Sequence, residues 1–378
     1  MSAQKDLWSP SRLIATAMSA ALLVVAMLPG AARAQQPLSW EELDRQLKPR
    51  IYHLNAAIKL RLKDGKYAMF FNVTKKEKFP IFATIDRDFG YRVMSFGSAF
   101  PVKTNEPGTT YFLTSQHVTN RPNTIVVEFE RFYAAMRLYA EQTAGGGNLE
   151  SRYDQLQKIV TLPYINKNMS SHELASYEHT TEAIWDCYQT YLSTRADPNR
   201  STFKKYLAQT GATPEIGYFL HAPGPVDKPP LSARIYKAST EPRHFDITIL
   251  TAKTQAIPPI ELDGAEPAEG QEVQVIGYPE ASDQIDADAD KYYAPTFNSG
   301  RISRVTPRML QVDAPVTVGS SGGPVVNKFG RVVGMVTVRA VSSRNGAELP
   351  NFAGAITART IMTFAPELFS APKSAAGL

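Results

Sequence analysis

Apolar residues recur with two different periods along this chain, and the change between them indicates its organisation. Short runs that are alternating or continuously apolar, bounded by Gly, Pro and Asn, predict β-strands on both sides of a helical middle section. The predicted strands cover residues 67–73, 81–85, 92–102, 111–119, 124–129, 233–237, 244–250, 271–279 and 297–303.

The middle section has the apolar period of amphipathic helices. Glycines at 145–147 and Pro198 interrupt it, and the proline-rich run 223–230 ends it. We therefore expect a helical subdomain, residues 131–230, inserted into a β-rich chain. Its predicted helices cover residues 132–141, 149–160, 171–192 and 201–207.

A further helix is predicted near the amino terminus. Ser39 and Glu42 have the spacing of a capping box, and apolar residues at 43, 47, 51, 54 and 58 follow at helical intervals. This pattern predicts an amphipathic helix over residues 39–61.

The first residues have the pattern of a secretory signal peptide. Lys5 and Arg12 precede an uncharged, largely apolar run, Leu13–Leu28, and an Ala-x-Ala site ends at residue 34. A spanning helix needs about 20 apolar residues, so we favour cleavage before Gln35 over a membrane anchor formed by residues 13–28. A periplasmic or secreted protein without a stable membrane span is expected.

Composition adds little beyond a globular chain. With 43% hydrophobic and 20% charged residues and a scattered formal charge of +5, the sequence gives no reason to expect a nucleic-acid partner. The single cysteine, Cys187, excludes an internal disulfide and lies on a predicted apolar helix stripe. We interpret it as a buried small hydrophobe.

The run from Val316 to Asn327 carries the strongest chemical signal. Gly319, Gly322 and Gly323 surround Ser321, and glycines allow backbone amides to turn toward one point beside the hydroxyl. Such a serine is a candidate nucleophile, whereas an isolated motif of this kind is more often a plain turn. No histidine follows Ser321, which excludes the nucleophile elbow of α/β-hydrolases.

Candidate partners lie upstream. His117 ends a predicted strand, and Asp246 stands at the mouth of another, with His244 as a weaker alternative base. No metal or other cofactor is expected. His172 lacks the second histidine of a zinc helix, and the acidic run 286–290 lacks the glycine and glutamate of a calcium loop.

The order His117, Asp246, Ser321 is that of chymotrypsin-like proteases. The chain resembles the trypsin-like serine peptidases, most closely the bacterial HtrA/Deg branch, in the strings Gly97-Ser-Ala-Phe-Pro-Val, Leu113-Thr-Ser-Gln-His-Val, Phe245-Asp-Ile-Thr-Ile-Leu and Gly319-Ser-Ser-Gly-Gly-Pro. The resemblance implies a mainly β fold of two six-stranded antiparallel barrels. It also makes Ser321 the nucleophile, His117 the base and Asp246 its orienting acid, with the amides of Gly319 and Ser321 as oxyanion hole.

Departures from the family pattern set the expected domains. The long interval between His117 and Asp246 is attributed to the helical insertion, Ser320 replaces a usual Asn, and too few residues follow Ile356 for a PDZ domain. We expect a signal peptide (1–34), an N-terminal extension of helix and short strands (35–90), a peptidase domain (91–365) interrupted at 131–230, and a tail (366–378).

The sequence therefore predicts a serine endopeptidase, a hydrolase acting on proteins or peptides. Two alternatives stay open: a catalytically silent fold member that binds a partner through the helical block, and an esterase using the same site. The block is expected to restrict access to the cleft. The oligomeric state is left open.

The substrate preference rests on the resemblance. It places the pocket for the residue before the scissile bond (P1) at Pro315, Val316, Val336, Thr337 and Val338. Because this set holds no carboxylate, small or medium aliphatic P1 residues are expected rather than Lys or Arg. Arg339 is the alternative, because turned inward it favours an acidic P1 residue.

Overall fold

The computed structural model describes most of the chain, and every element named below lies within Ser39–Leu378, one of the two compact units into which the chain divides. The predicted signal peptide, the competing base His244 and the acidic run 286–290 lie outside the described residues. The description covers residues 36–71, 81–85, 87–88, 90–105, 108–193, 200–209, 211–241, 245–254, 257–279, 293–341 and 348–369.

The first helix is shorter than predicted. Helix α1 (Trp40–Leu47) begins at the capping box, in which the Ser39 hydroxyl accepts from the Glu42 N–H and the Glu42 carboxylate accepts from the Ser39 N–H. A 3-10 turn (Lys48–Arg50) follows, and Pro49, which has no N–H to donate, ends the regular helix.

Residues 52–61 form strand β1, so the helix predicted over 39–61 is wrong beyond Leu47. Leu54 and Ile58 are spaced by four, which suits a helix face, but Ala56 and Leu60 are buried with them. That set has the period of two of a strand.

The first barrel closes on β1. Its strands pair antiparallel in the order β1, β4, β5, β8, β7, β6, and β6 returns to β1 with His53 opposite His221 and Arg61 opposite Thr213. A hairpin of β2 and β3 continues from the end of β1. The strands are β2 (Tyr67–Phe71), β3 (Ile81–Ile85), β4 (Arg92–Asn105), β5 (Thr109–Thr114), β6 (Thr213–His221), β7 (Leu231–Ala238) and β8 (Thr248–Lys253).

This pairing corrects two predicted limits. Strand β1 lies inside the segment predicted as an N-terminal extension, and β6 lies inside the predicted insertion 131–230. Both strands are needed to close the barrel. The remaining domain limits stay predictions.

The second barrel is also closed, in the order β10, β11, β14, β13, β12, β9. Its interior is filled by small and branched apolar side chains such as Val275, Ile302 and Val325. The predicted fold of two six-stranded antiparallel barrels is thus confirmed. The strands are β9 (Glu272–Gly277), β10 (Thr296–Val305), β11 (Met309–Val312), β12 (Pro324–Val326), β13 (Val332–Val341) and β14 (Glu348–Thr357), followed by helices α6 (Ala358–Phe364) and α7 (Pro366–Phe369).

The helical block is present but begins earlier than predicted. Helix α2 (Gln116–Thr143) replaces both the end of the strand predicted to Thr119 and the strand predicted at 124–129. Ile125, Phe129 and Phe132 are buried, at helical spacing, against the hairpin of the first barrel. The block continues as α3 (Leu149–Ile165), α4 (Ser171–Ser193) and α5 (Arg200–Gln209).

The helical block packs with the hairpin of β2 and β3 and the end of β1 in a core that is distinct from the interior of the first barrel. Phe82 of β3 meets Phe129 edge to face, with ring centroids 5.2 Å apart. Cys187 is partly exposed at the margin of this core, forms no disulfide and is less buried than predicted. None of the helices in the described ranges is long and apolar enough to cross a membrane.

Candidate active site

His117 and Asp246 are in direct contact at the start of α2. The Asp246 carboxylate accepts from the His117 backbone N–H at 2.8 Å and lies 2.6 Å from His117 Nδ1. A carboxylate only accepts hydrogen bonds, so Nδ1 carries the proton and Nε2 presents its lone pair. The imidazole is half exposed (50%) while the carboxylate is mostly covered (14%).

The Asp246 carboxylate also caps helix α2. Ser115 stands at the N-cap position but makes no capping bond, because its hydroxyl donates to Val336 O at 3.0 Å. Asp246 takes over by binding an amide of the first turn, where a negative charge is favoured. One side chain thus fixes both the helix and the imidazole on it.

Asp246 is held in its ionised form. Burial alone raises the pKa of Asp246. The hydrogen bonds from His117 and from the Thr337 hydroxyl lower this pKa by a larger amount, so its net shift is downward. Thr337 donates to the carboxylate oxygen that faces the imidazole. The sequence analysis assigned Thr337 only to a pocket wall and missed this contact.

The first turns of α2 are tied to the first barrel. Pro122 has no N–H for the carbonyl of Val118, and the Ser95 hydroxyl of β4 donates to that carbonyl at 2.6 Å. The Tyr218 hydroxyl donates to Thr119 O at 3.1 Å. These bonds set the position of His117, which lies in a helix rather than at the predicted strand end.

Ser321 lies in a turn that only glycine permits. Gly319 and Gly322 have φ angles of +91° and +86°. A Cβ on Gly319 would lie 2.1 Å from Tyr278 O, and one on Gly322 would lie 2.2 Å from Ser98 O. The loop therefore approaches the neighbouring backbone too closely for any side chain at these positions.

Ser98 of β4 fastens this loop, and the sequence analysis missed it. Its hydroxyl donates to Gly319 O at 2.8 Å and accepts from Tyr278 N at 2.9 Å, while its backbone N–H donates to Ser321 O at 2.8 Å. Ser98 is fully buried. Its only sequence signal is its place in the string after Gly97.

Alternate backbone N–H groups of this loop are hydrogen-bonded. The N–H of Ser320 donates to Thr317 O and that of Gly322 to Val336 O, so the peptides whose carbonyls bind Ser98 are held at both ends. In the part of the chain that the structure describes, the N–H groups of Gly319 and Ser321 have no protein acceptor. These are the amides predicted for the oxyanion hole.

One cavity of about 680 Å³ brings the predicted residues together. His117, Gly319, Ser321 and Thr337 line it. Residues 93–96 of β4, Val118 and Arg121 of α2, and Val318 complete its lining. Within the described residues, α3, α4 and α5 contribute nothing to its lining, although the helical block was expected to restrict access.

The predicted P1 pocket is only partly assembled. Val336 is fully buried in the core of the second barrel and does not line the cavity that contains Ser321, and its place in the P1 pocket stays a prediction. Val316 packs against the same core, and Pro315 O accepts from Asn298. The side chains of Val338 and Arg339 lie outside the described residues. Alternation along β13 turns Val336 inward and Thr337 toward the cleft.

Residues 210–335 match the family model of the trypsin-like peptidase domain. The matched segment is therefore similar to trypsin-like peptidase domains. It includes Asp246, Gly319 and Ser321, whereas His117 lies before it, separated by the helical insertion. Among the described residues, no group of three or more His, Cys, Asp or Glu side chains is placed to hold a metal ion.

Comparison with curated proteins found no match. Among solved structures, the peptidase chain is similar to a mutant of Rv3671c from M. tuberculosis H37Rv in an inactive form (12% identity, 90% of this chain, 98% of that chain, TM-score 0.39). It is also similar to a serine endoprotease from Yersinia pestis (14% identity, 88% and 67%, TM-score 0.41). Because both TM-scores lie below 0.5, these likenesses establish neither fold nor activity.

Proposed function

We propose that this protein is a serine endopeptidase that hydrolyses peptide bonds through an acyl-enzyme. Ser321 Oγ attacks the scissile carbonyl carbon while His117 Nε2 takes its proton. The new C–O bond leaves a negative charge on the former carbonyl oxygen, which the N–H groups of Gly319 and Ser321 receive. His117 then protonates the leaving amine, the C–N bond breaks, and water repeats the sequence to release the acid.

Asp246 acts through the imidazole. Its carboxylate keeps the proton on Nδ1, which leaves Nε2 free as the base, and it stabilises the imidazolium formed during attack. The lowered pKa of Asp246 supports this role, because the carboxylate stays ionised while His117 gains and loses its proton.

The observation that carries the proposal is the shared cavity. His117, oriented by Asp246, lies in the same cavity as Ser321 and the Gly319 amide, and among the described residues it is the one histidine that lines this cavity. Loss of one oxyanion donor costs about 3 kcal/mol of barrier in enzymes of this mechanism. Two N–H groups without a protein acceptor beside one hydroxyl can therefore lower the reaction barrier substantially.

A fluorophosphonate probe tests the proposal. The probe should attach covalently to Ser321 of the wild-type protein, and labelling should disappear in Ser321→Ala. His117→Ala and Asp246→Ala should each lower kcat by several orders of magnitude, and the double variant should lose little more, because the residues act as one unit. Full activity of His117→Ala would exclude it as the base and favour His244.

Two other functions use the same fold. A silent binding protein predicts no labelling and no hydrolysis, with the helical block as its contact surface. An esterase predicts labelling and hydrolysis of acyl esters without cleavage of peptides. The ordered oxyanion donors favour an active enzyme over the silent protein, because unbonded amides at a strained loop serve no structural purpose.

We also propose that the protein works outside the cytoplasm after removal of residues 1–34. The basic, apolar and Ala-x-Ala segments support export. Membership of the HtrA/Deg branch is a further proposal, supported by the strings around His117, Asp246 and Ser321.

A further inference from the structure

We propose that Arg121 forms a carboxylate-binding subsite for the substrate, selecting an acidic residue at the second position after the scissile bond (P2′). The inference rests on the proposed peptidase function and adds to it a substrate class. It concerns the part of the cavity lined by Val93, Met94, Phe96, Val118, Arg121 and Val318, called here the leaving-group groove.

The groove receives the half of the substrate that departs as the amine. The general acid must face the leaving nitrogen, so that half lies beside His117. The groove continues from His117 along α2 to Val118 and Arg121. The residues predicted to hold the P1 side chain, Pro315 and Val316, do not line it.

The spacing along α2 places Arg121 at the second residue. Arg121 follows His117 by four positions, so both lie on one helix face, about 6 Å apart along the axis. An extended peptide advances about 3.3 Å per residue. Two residues past the scissile bond therefore bring the chain level with Arg121.

The chemistry of the groove is asymmetric. Its other walls are apolar, and Val93 is 48% exposed there. Neighbouring side chains of an extended peptide point to opposite faces, so an apolar first residue packs on β4 while the second turns toward α2. Among the described residues, Arg121 is the one cation that lines this groove.

Arg121 keeps donors for a ligand. Nη1 lies 3.3 Å from Glu128 Oε1, and the side chain is 40% exposed. Among the described residues this is its one hydrogen bond, whereas a guanidinium has five N–H donors. Glu128 holds the side chain through Nη1 and leaves Nε and Nη2 of the guanidinium to donate to a bidentate carboxylate.

Quenched fluorescent peptides test the subsite. A common sequence carries Glu, Gln or Lys at P2′, and kcat/KM is compared within each variant as the ratio of Glu to Gln. We expect a ratio of about 10 for the wild type, the discrimination typical of one charge-assisted contact. Arg121→Gln should bring the ratio near one, and Arg121→Lys should restore part of it.

Arg131→Gln is the matched control, because Arg131 is on the same helix, contacts Tyr188 and does not line the cavity. Its ratio should equal that of the wild type. A second peptide set ends at P2′ as a free acid or an amide. Preference for the acid alone assigns the subsite to a chain terminus and overturns the side-chain proposal.

A ratio near one in the wild type, or an unchanged ratio in Arg121→Gln, overturns the subsite while leaving the peptidase intact. Absence of hydrolysis of every peptide and of a P1 chromogenic amide overturns the peptidase function and the subsite together.

Discussion

Replacement of Ser98 by alanine should separate the packing of the nucleophile loop from its catalytic geometry. The change removes one oxygen from a fully buried site and adds nothing. It leaves Gly319 O without its donor and Tyr278 N without its acceptor. The backbone bond from Ser98 N to Ser321 O remains.

The structure sets the magnitude. A buried backbone group left without a partner costs about 1–3 kcal/mol. For two such groups we expect the free energy of unfolding to fall by about 2–6 kcal/mol. Removing a whole oxyanion donor lowers kcat by about 10²–10³. Here both amides remain and only the loop loosens, so kcat should fall about tenfold with KM nearly unchanged.

Urea unfolding and steady-state kinetics measure the two effects on the same preparation. A peptide boronate, whose anionic adduct occupies the oxyanion position, should lose affinity by the same factor as kcat. Thr110→Val is the matched control. Thr110 is also fully buried in the first barrel, and its hydroxyl lies 2.7 Å from that of Thr254. It should lose stability without losing kcat.

The reasoning fails if Ser98→Ala loses stability but keeps kcat and boronate affinity, since Ser98 then only packs the loop. It also fails if stability is unchanged, because the two backbone groups must then find other partners. Ser98→Cys keeps the volume and a weak donor, and should lie between the two proteins in both measurements.

Three further outcomes are expected. The pKa of Asp246 in the folded protein is below its ordinary value of 3.8, so the ionised carboxylate stabilises the fold above that pH. The wild type should therefore be more stable than Asp246→Asn at pH 5. In urea unfolding this advantage should vanish as the pH falls through the lowered pKa. Cleavage profiling should show small or medium aliphatic P1 residues; dominance of Lys or Arg contradicts the predicted pocket, and an acidic preference lost in Arg339→Ala assigns the pocket to that cation. Amino-terminal sequencing of exported protein should begin at Gln35, and an uncleaved terminus in a membrane fraction would support the anchor.

Many of the barrel strands could be predicted from the sequence because each strand has its own local pattern of apolar residues. The strand predicted at residues 81–85 coincides with β3, and those predicted around 233–237, 271–279 and 297–303 fall on β7, β9 and β10. Apolar alternation and flanking turn residues determine these segments without reference to distant parts of the chain.

The errors occurred where two periods fit the same residues. The spacing of Leu54 and Ile58 fits both a helix and a strand. Residues 52–61 form strand β1 because they pair with β4 and β6 to close the barrel. At 124–129 the β-branched residues favoured a strand, but burial of Ile125 and Phe129 on one face of α2 outweighs that local preference. The residues of β6 were predicted as part of the helical block. Its pairing partner β1 was predicted as a helix.

The site divides in the same manner. The order of His117, Asp246 and Ser321 is a property of the sequence, and the structure brings them to one cleft. Ser98 and Thr337 make contacts between distant segments, and Arg121 lines the cavity together with residues that are far from it in the sequence. A buried serine in a strand or an arginine on a helix has many ordinary explanations, so no local pattern distinguished them.

Pro122 gives the insertion a natural dividing point. Because Ser95 takes the carbonyl that this proline leaves unbonded, the rotation of α2 is set within its first two turns. Segments after Thr143 can then differ in length or sequence without turning the imidazole. In the proposed enzyme the part of α2 up to Pro122 positions the general base, and the connection between α2 and α3 is a place where a foreign module can be attached without moving it.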